Sequence, residues 1–431
     1  MSVAIIGSGF AGLAAADALI SAGVDVDVYD ERPHWGGHAH SIELDGFTFD
    51  EGPHVSFTSD ERVKDVFAAG AGEVEHLEAR ITNYFRGHWL EHPAQCHLHG
   101  LDPELISRCI ADLAREQASP RAVDTYADWC RARFGDTFAE EFPFAYTRKY
   151  WTVEAEMLTT DWVGSRVYPP KLEEVVRGAL EPEQKGDFHY LSACRYPRRG
   201  GYQTFAGALV HEDALRLGSR VVGIDLDDSF LRLADGSTRG FDRLISTMPL
   251  PALIETIARA PSEVKRAAGE LLCTSVVLVD IAVSRSDLSR HHWFYVYDED
   301  VSFSRVSFPH MLAASNAPEG CGAIQVEVYH SCHRPLPCAP ESLPGRAVEE
   351  LVRLKVLASP GEVMWARHRE VPYANVAFDH RRSAALDTIV PWVKSVGVAL
   401  AGRYGEWGYH WTDDATRSGW DAARSILAAI P

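Results

Sequence analysis

The chain has no apolar run of eighteen residues, so no segment reads as a membrane-spanning helix. It has no C-x-x-C. Its eight cysteines, Cys96, Cys109, Cys130, Cys194, Cys273, Cys321, Cys332 and Cys338, are scattered, which argues against a disulfide framework and for core thiols. No internal repeat, low-complexity tract or long linker breaks the chain. The first residues lack the basic, apolar and small-residue succession of a secretory signal and enter a core strand directly, so a cytoplasmic location is expected. Positive charge is scarce: 42 Lys and Arg against 61 Asp and Glu give a formal net charge of −19. That balance argues against nucleic acid and against membrane surfaces as partners, and any anionic ligand must then be held by particular arginines. The densest polar cluster is His88, His92, Cys96, His97 and His99. Its spacing fits no zinc template, so a hairpin with exposed histidines is expected there and no metal site.

Glycine, by contrast, is placed with purpose. Val3-Ala4-Ile5-Ile6 reads as a short buried strand, and Gly7-Ser8-Gly9-Phe10-Ala11-Gly12 follows as G-x-G-x-x-G. Leu13 to Ala22 reads as a helix and Val24 to Tyr29 as a second strand ending at Asp30. Gly7 permits the tight turn, Gly9 lets a pyrophosphate approach the backbone, and Gly12 lets the helix pack close to the sheet. The helix N-terminus directs free N–H groups and a positive dipole end at phosphate. Asp30 stands where an acid accepts hydrogen bonds from a ribose 2′-OH, and an acid there argues against the 2′-phosphate of NADP. The whole order of strand, glycines, helix, strand and acid makes a chance Gly-rich turn the weaker reading.

Further along, residues 60–72 read as a helix and 81–92 as a strand pair around Arg86-Gly87. Residues 102–185 read as mostly helical. Strands return over 217–247 and 272–330, residues 397–403 read as a last buried strand, and Asp414 to Ile430 as a closing helix. Strands of one sheet type recurring at the start, middle and end point to a nucleotide-binding domain interrupted by other segments.

The stretch Asp30–Val63, DERPHWGGHAHSIELDGFTFDEGPHVSFTSDERV, resembles the flavoprotein group of amine oxidases, protoporphyrinogen oxidases and, most closely, UDP-galactopyranose mutases. In that group an acid, an Arg and a Gly-Gly pair form a second cradle for FAD, which matches Asp30, Arg32, Gly36 and Gly37. From the residues themselves, Arg32 can neutralise phosphate and the two glycines allow close backbone approach. Tyr146-Thr147-Arg148-Lys149-Tyr150-Trp151 resembles the mutases' Y-T-x-K-x-W, whose tyrosine and tryptophan line the nucleotide-sugar site. The segment Asp161–Pro169 is similar to the one holding a diphosphate arginine, here Arg166. Gly200-Gly201-Tyr202-Gln203-Thr204 resembles Gly-Gly-Tyr-Thr with Gln203 extra. Ser304-Arg305 looks like the family's T-R, Pro372-Tyr373 like the start of Pro-Tyr-Tyr-Pro, and Gly402-Arg403 through Tyr409 like G-R-x-x-x-Y-x-Y.

The resemblance implies an α/β fold: a discontinuous FAD-binding Rossmann-like domain of the glutathione-reductase type, an inserted helical lobe, and a mixed or antiparallel substrate sheet. The expected cofactor pieces are 1–80, 191–250 and 376–431, with a sheet segment at 81–100, the lobe at 101–190 and the substrate sheet at 251–375. It implies FAD contacts from Gly7, Gly9, Phe10, Ala11 and Gly12, from Asp30, Glu31, Arg32, Gly36, Gly37, His38 and His54, and from Val222, Gly402, Arg403 and Tyr409. It implies substrate contacts from Tyr146, Trp151, Arg166, Tyr202, Arg305, Tyr373, Arg403 and Tyr409, with Arg166, Arg305, Arg403 and His54 nearest the chemistry. The implied reaction interconverts pyranose and furanose forms of a nucleotide sugar, with reduced FAD as the active form and its N5 as nucleophile at the anomeric carbon. NAD(P)H or another reductant would supply electrons, and a homodimer is compatible with it.

Taken singly, these side chains have plainer readings: an arginine in a surface salt bridge, an aromatic in core packing, a histidine hydrogen-bonded in the interior. Several positions depart from the family pattern. The second His of H-x-x-H is Phe57, the first tyrosine of the last motif is Trp407, the aspartate two residues after its last tyrosine is Trp411, and the second tyrosine of Pro-Tyr-Tyr-Pro is Ala374. The departures gather at the sugar end and leave the sugar open. A flavin oxidase or dehydrogenase of the amine oxidase or protoporphyrinogen oxidase type is the alternative, and it would need no diphosphate clamp.

Overall fold

The computed structural model describes residues 1–182 and 193–429. Ser2–Ile6, rich in Val and Ile, forms the middle of a five-stranded sheet in the order Val398–Leu400, Arg243–Ser246, Ser2–Ile6, Asp25–Tyr29, Leu215–Arg216. Every pairing in it is parallel. A parallel sheet is buried on both faces at its centre, which is why Ser2–Ile6 reads as a short apolar run, while Asp25–Tyr29, nearer the edge, alternates Asp and Val. The helices Phe10–Ser21 and Thr412–Ala428 cover it together with Leu19, Ala423 and Ile426. They cross so closely that a Cβ on Gly419 would lie 2.1 Å from the Ala11 carbonyl oxygen.

A seven-stranded sheet runs Val363–Val371, Ser275–Val283, Gly322–His330, Arg305–Ser307, Trp293–Val296, Ile81–Phe85, His88–Glu91. It is antiparallel except where Ile81–Phe85 lies parallel to Trp293–Val296. Alternation gives it two different faces. Val277, Val279, Ile281 and Val283 pack with the helix Leu343–Arg353, while Val276, Leu278, Tyr295, Glu327 and Tyr329 face a large cavity.

The helical lobe supplies the third wall. Asp102 caps Pro103–Ala118 by accepting from the Glu104 and Leu105 N–H groups, and Thr125 with Asp128 forms a capping box on Tyr126–Phe134. A π-turn over Glu140–Phe144 absorbs Pro143, which has no N–H to donate, and re-aims the following helix Ala145–Tyr150. The helical reading of 102–185 holds only in part: 151–171 is mostly turn and irregular chain, helix resumes at Leu172–Leu180, and 183–185 lie outside the described residues. The expected strand 397–403 stops at Leu400. Gly402 and Arg403 open a short helix, Gly402–Gly405, because Gly402 at φ +78 turns the chain. The closing helix is Thr412–Ala428; Ile430 is outside the described residues.

Candidate active site

A single cavity of about 1280 Å³ lies between the parallel sheet, the seven-stranded sheet and the lobe. It exceeds the usual range for one small ligand, roughly 300–1,000 Å³. Its inner end is the glycine cradle. Gly9 and Gly36 form a parallel bridge, and a Cβ on Gly37 would stand 2.9 Å from the Gly9 Cα, so the two glycine-rich turns are in contact. Asp30 sits at the rim, its carboxylate accepting from the Ser8 N–H (2.7 Å), the Ser8 hydroxyl (2.6 Å) and the Arg32 N–H (2.9 Å). Gly7, Gly9, Phe10, Ala11, Glu31, Gly36, Gly37 and His38 line the same end.

Two of the expected cofactor contacts do not line the cavity, and a third lines it already paired. Val222 is 42% exposed and turned away from the cavity; its neighbour Val221 lines it instead, across an irregular register beside Gly223. Gly12 does not line the cavity but lies beneath the turn, against the Gly7 carbonyl. Arg32 is not free for phosphate: its fork meets Glu51 at 2.8 and 3.2 Å and also reaches the Gly37 carbonyl. Burial would raise the Glu51 pKa, but the His38 hydrogen bond and the charges of His38 and Arg32 outweigh it and bring it to about 2. The fixed pair braces the second glycine turn.

The outer end is aromatic. Tyr146 stacks on Tyr150 at 5.4 Å and meets the edge of Tyr295, while Trp151 packs on Trp162 and Tyr409. Tyr373 lines the opposite side near Trp407. Tyr202 does not join this group. It is fully buried beside Phe10, shares its hydroxyl proton with Thr412 (2.6 Å), and tilts over His54 at 5.2 Å. His54 Nδ1 lies 2.8 Å from the Gly52 carbonyl, which can only accept, so the proton is on Nδ1 and Nε2 presents a lone pair. Burial pushes the His54 pKa down to about 4.

Of the arginines that line the cavity, Arg305, Arg166 and Arg403 are in different electrostatic states. Arg305 is paired with Glu327, whose other oxygen accepts from the Tyr329 hydroxyl at 2.7 Å. Arg166 donates to the carbonyls of Trp162 and Tyr409, and its guanidinium lies 4.5 Å from the ring centres of both Tyr409 and Trp411. Arg403 donates to the His410 carbonyl and to Asn375 Oδ1, and packs on Tyr409 at 4.6 Å. Among the described residues neither Arg166 nor Arg403 has a carboxylate partner, and each keeps a buried Nε without a hydrogen bond.

The sequence reading passed over Glu327, Tyr295, Tyr297 and Lys149. The first three carried a signal: Gln325-Val326-Glu327-Val328-Tyr329 and Trp293-Phe294-Tyr295-Val296-Tyr297 place polar or hydroxylated residues at every second position of apolar strands, on one face. Lys149 is buried and donates to the Val296 and Asp298 carbonyls at 3.0 and 2.8 Å. His97, expected exposed, is buried, with Nδ1 3.0 Å from the Pro93 carbonyl; His88 is exposed. Among the described residues no group of His, Cys, Asp and Glu could hold a metal ion, and no helix is long and apolar enough to cross a membrane.

Residues 10–427 match the family model described as flavin-containing amine oxidoreductase. The chain belongs to that family. FAD is therefore its cofactor, and the glycine cradle and Asp30 fit it. This family member superposes on the crystal structure of reduced UDP-galactopyranose mutase with a TM-score of 0.93, at 24% identity, over 99% of this chain and 95% of the other. A putrescine oxidase bound to putrescine matches with a TM-score of 0.64 at 16% identity, over 99% of both chains. Among curated proteins, 4,4'-diapophytoene desaturase of Staphylococcus aureus (strain Newman) is 37% identical over 93 residues, 21% of this chain. The match spans about a fifth, 18%, of that relative's length. The likenesses to solved structures show a mixed α/β fold of the FAD-binding kind.

Proposed function

We propose that this flavoenzyme is a mutase that interconverts the pyranose and furanose forms of a sugar carried on a nucleoside diphosphate. The observation that carries the reading is the pair of half-buried guanidiniums, Arg166 and Arg403, on Tyr409, each with a buried Nε that has no hydrogen bond and neither with a carboxylate partner among the described residues. Withdrawing two cations even partly from water without counter-charge is costly, and a diphosphate offers about two negative charges and several acceptor oxygens to them. A cationic amine would meet like charge there, and an apolar polyene would leave both guanidiniums unpaired. The likeness to the reduced UDP-galactopyranose mutase supports the same reading.

On this reading the residues divide the work. Arg166 and Arg403 hold the diphosphate and stabilise it as it leaves. Tyr146 and Trp151 offer flat rings to the base, and Tyr373 and Tyr409 close the site around the ligand. Arg305, neutralised by Glu327, donates its remaining N–H groups without adding net charge. His54 stays neutral and accepts at Nε2. Tyr202 fixes His54 and Thr412 from behind. The cofactor pieces 1–80, 191–250 and 376–431 contribute His54, Tyr202, Arg403 and Tyr409, the lobe contributes Tyr146, Trp151 and Arg166, and the substrate sheet contributes Arg305, Glu327 and Tyr373; the flavin, when bound and reduced, would supply the nucleophile for the anomeric carbon.

The test is to titrate UDP, GDP and dTDP into the flavin-loaded protein, read the flavin spectrum, and offer the matching hexose conjugates after dithionite reduction. At least one diphosphate should bind and its hexose should yield furanose only in the reduced protein. Failure of all three to bind, with hydrogen peroxide released from an amine, would reject the mutase and favour the oxidase.

A further inference from the structure

Two of the positions where this chain departs from the mutase pattern touch each other. Phe57 stands where that pattern has histidine, and Trp411 where it has aspartate; their rings meet edge to face at 4.4 Å, and both line the cavity. Exchange of one polar residue could be drift, but two polar residues exchanged for two aromatic ones in contact make a single wall of changed chemistry. The wall is firmly seated. The Trp411 N–H donates to Asp414 at the start of the helix Thr412–Ala428, and Phe57 belongs to an apolar cluster with Val55, Phe10 and Ala415.

Its place in the cavity identifies what it faces. The Trp411 ring carries the guanidinium of Arg166, and Thr412, the next residue, is bonded to Tyr202, which packs on His54 beside the cradle. The wall therefore joins the arginine assigned to the diphosphate to the residues beside the glycine cradle. In a nucleotide sugar the group bonded directly to the diphosphate on the side away from the nucleoside is the sugar, so the wall faces the sugar ring.

We infer that this cavity takes a nucleotide-linked 6-deoxyhexose, with its methyl group against Phe57 and Trp411. The inference rests on the nucleotide-sugar reading above. Ring interchange uses C1, the ring oxygen and the hydroxyl that recloses the ring; the exocyclic carbon takes no part, so loss of its oxygen leaves the reaction intact and turns a polar arm into a methyl. A hydroxyl turned onto the Phe57 ring gives up its water and gains no acceptor, whereas a methyl gains buried apolar contact. Discrimination by an apolar wall against an added hydroxyl is on the order of 10- to 100-fold.

The experiment uses paired conjugates, UDP-, GDP- and dTDP-galactose against the same nucleotides of fucose, 6-deoxygalactose, with the reduced flavin-loaded protein. Binding is read from the flavin spectrum and furanose by chromatography. For the nucleotide that binds best, the deoxy member should be favoured about 10- to 100-fold in kcat/KM and in Kd. Phe57→His, which leaves the Arg166 stack in place, should cut that preference at least about threefold, and Phe57→His with Trp411→Asp should abolish it, flavin content being retained in both. Equal or reversed preference in the unaltered protein overturns the wall even if furanose forms. A deoxy preference in binding with no furanose from any sugar keeps the wall and sinks the mutase. No binding by any conjugate sinks both.

Discussion

Among the residues, the two unpaired guanidiniums carry the most consequence. Replacing Arg166 or Arg403 with Ala should remove charge-assisted bonds to the ligand worth about 2–3 kcal/mol each, a loss of roughly 30- to 150-fold in nucleotide-sugar affinity. Turnover should fall at least as far, and the yellow flavin should stay bound. Flavin lost from the Arg403→Ala protein would place that side chain on the cofactor instead. His54 makes a separate prediction. Burial brings its pKa to about 4, so the imidazole is already neutral throughout the range from pH 5 to 8. The pH profile of kcat/KM should show no limb near 6.5 that disappears in His54→Gln, and such a limb would mean that the imidazole titrates during the reaction.

Among the elements, the helix Ala145–Tyr150 presents Tyr146 and Tyr150 to the cavity, and Lys149 moors it to the strand Trp293–Val296 and the turn that follows. Lys149→Met keeps the apolar stem but leaves two carbonyls without donors, at a cost of about 1–3 kcal/mol. The melting temperature should fall, and KM for the nucleotide sugar should rise more than kcat falls, because the binding rings lose their anchor. Unchanged stability and KM would show that packing alone holds the helix. This element also marks how far the sequence could be read. Gly7, Gly9, Asp30, Gly36 and Gly37 were legible because turn geometry and phosphate approach are decided within a few residues. Tyr146, Trp151, Arg166 and Arg403 are legible as motifs, but the gathering of Trp151, Arg166 and Arg403 on Tyr409 is not, since Arg166 and Tyr409 stand 243 residues apart in the chain. Val222 was misread for Val221 because the irregular register at Gly223 breaks the simple alternation. The pairing of Arg32 with Glu51 is not legible locally because Glu51 comes from the end of a later hairpin. Lys149 stands at the lysine of Y-T-x-K-x-W, but its anchoring part is not legible there: a lysine on a short helix reads as solvent-facing until its carbonyl partners are known.

At the scale of the whole molecule, the parallel sheet is assembled from strands at Ser2–Ile6, Asp25–Tyr29, Leu215–Arg216, Arg243–Ser246 and Val398–Leu400, with the seven-stranded sheet and the lobe between them in the chain. The cofactor end of the cavity touches most of these pieces, so FAD links segments that are otherwise joined only through the sheet. Stripping the flavin should lower the melting temperature by several degrees, and restoring free FAD to 100 times its Kd should return about 2.7 kcal/mol. An unchanged melting temperature would mean that the sheet is complete without it. The net charge of −19 makes the local contrast sharp: an acidic protein keeps in a large cavity two arginines that have no carboxylate partner among the described residues. The most direct measurement of what they serve is an anaerobic electron balance, in which the dithionite-reduced protein, freed of excess reductant, is mixed with the nucleotide sugar that binds best. The account predicts many furanose molecules per flavin with the flavin still reduced at the end. Product formed only by the oxidised protein, with one flavin reduced per turnover, would contradict it.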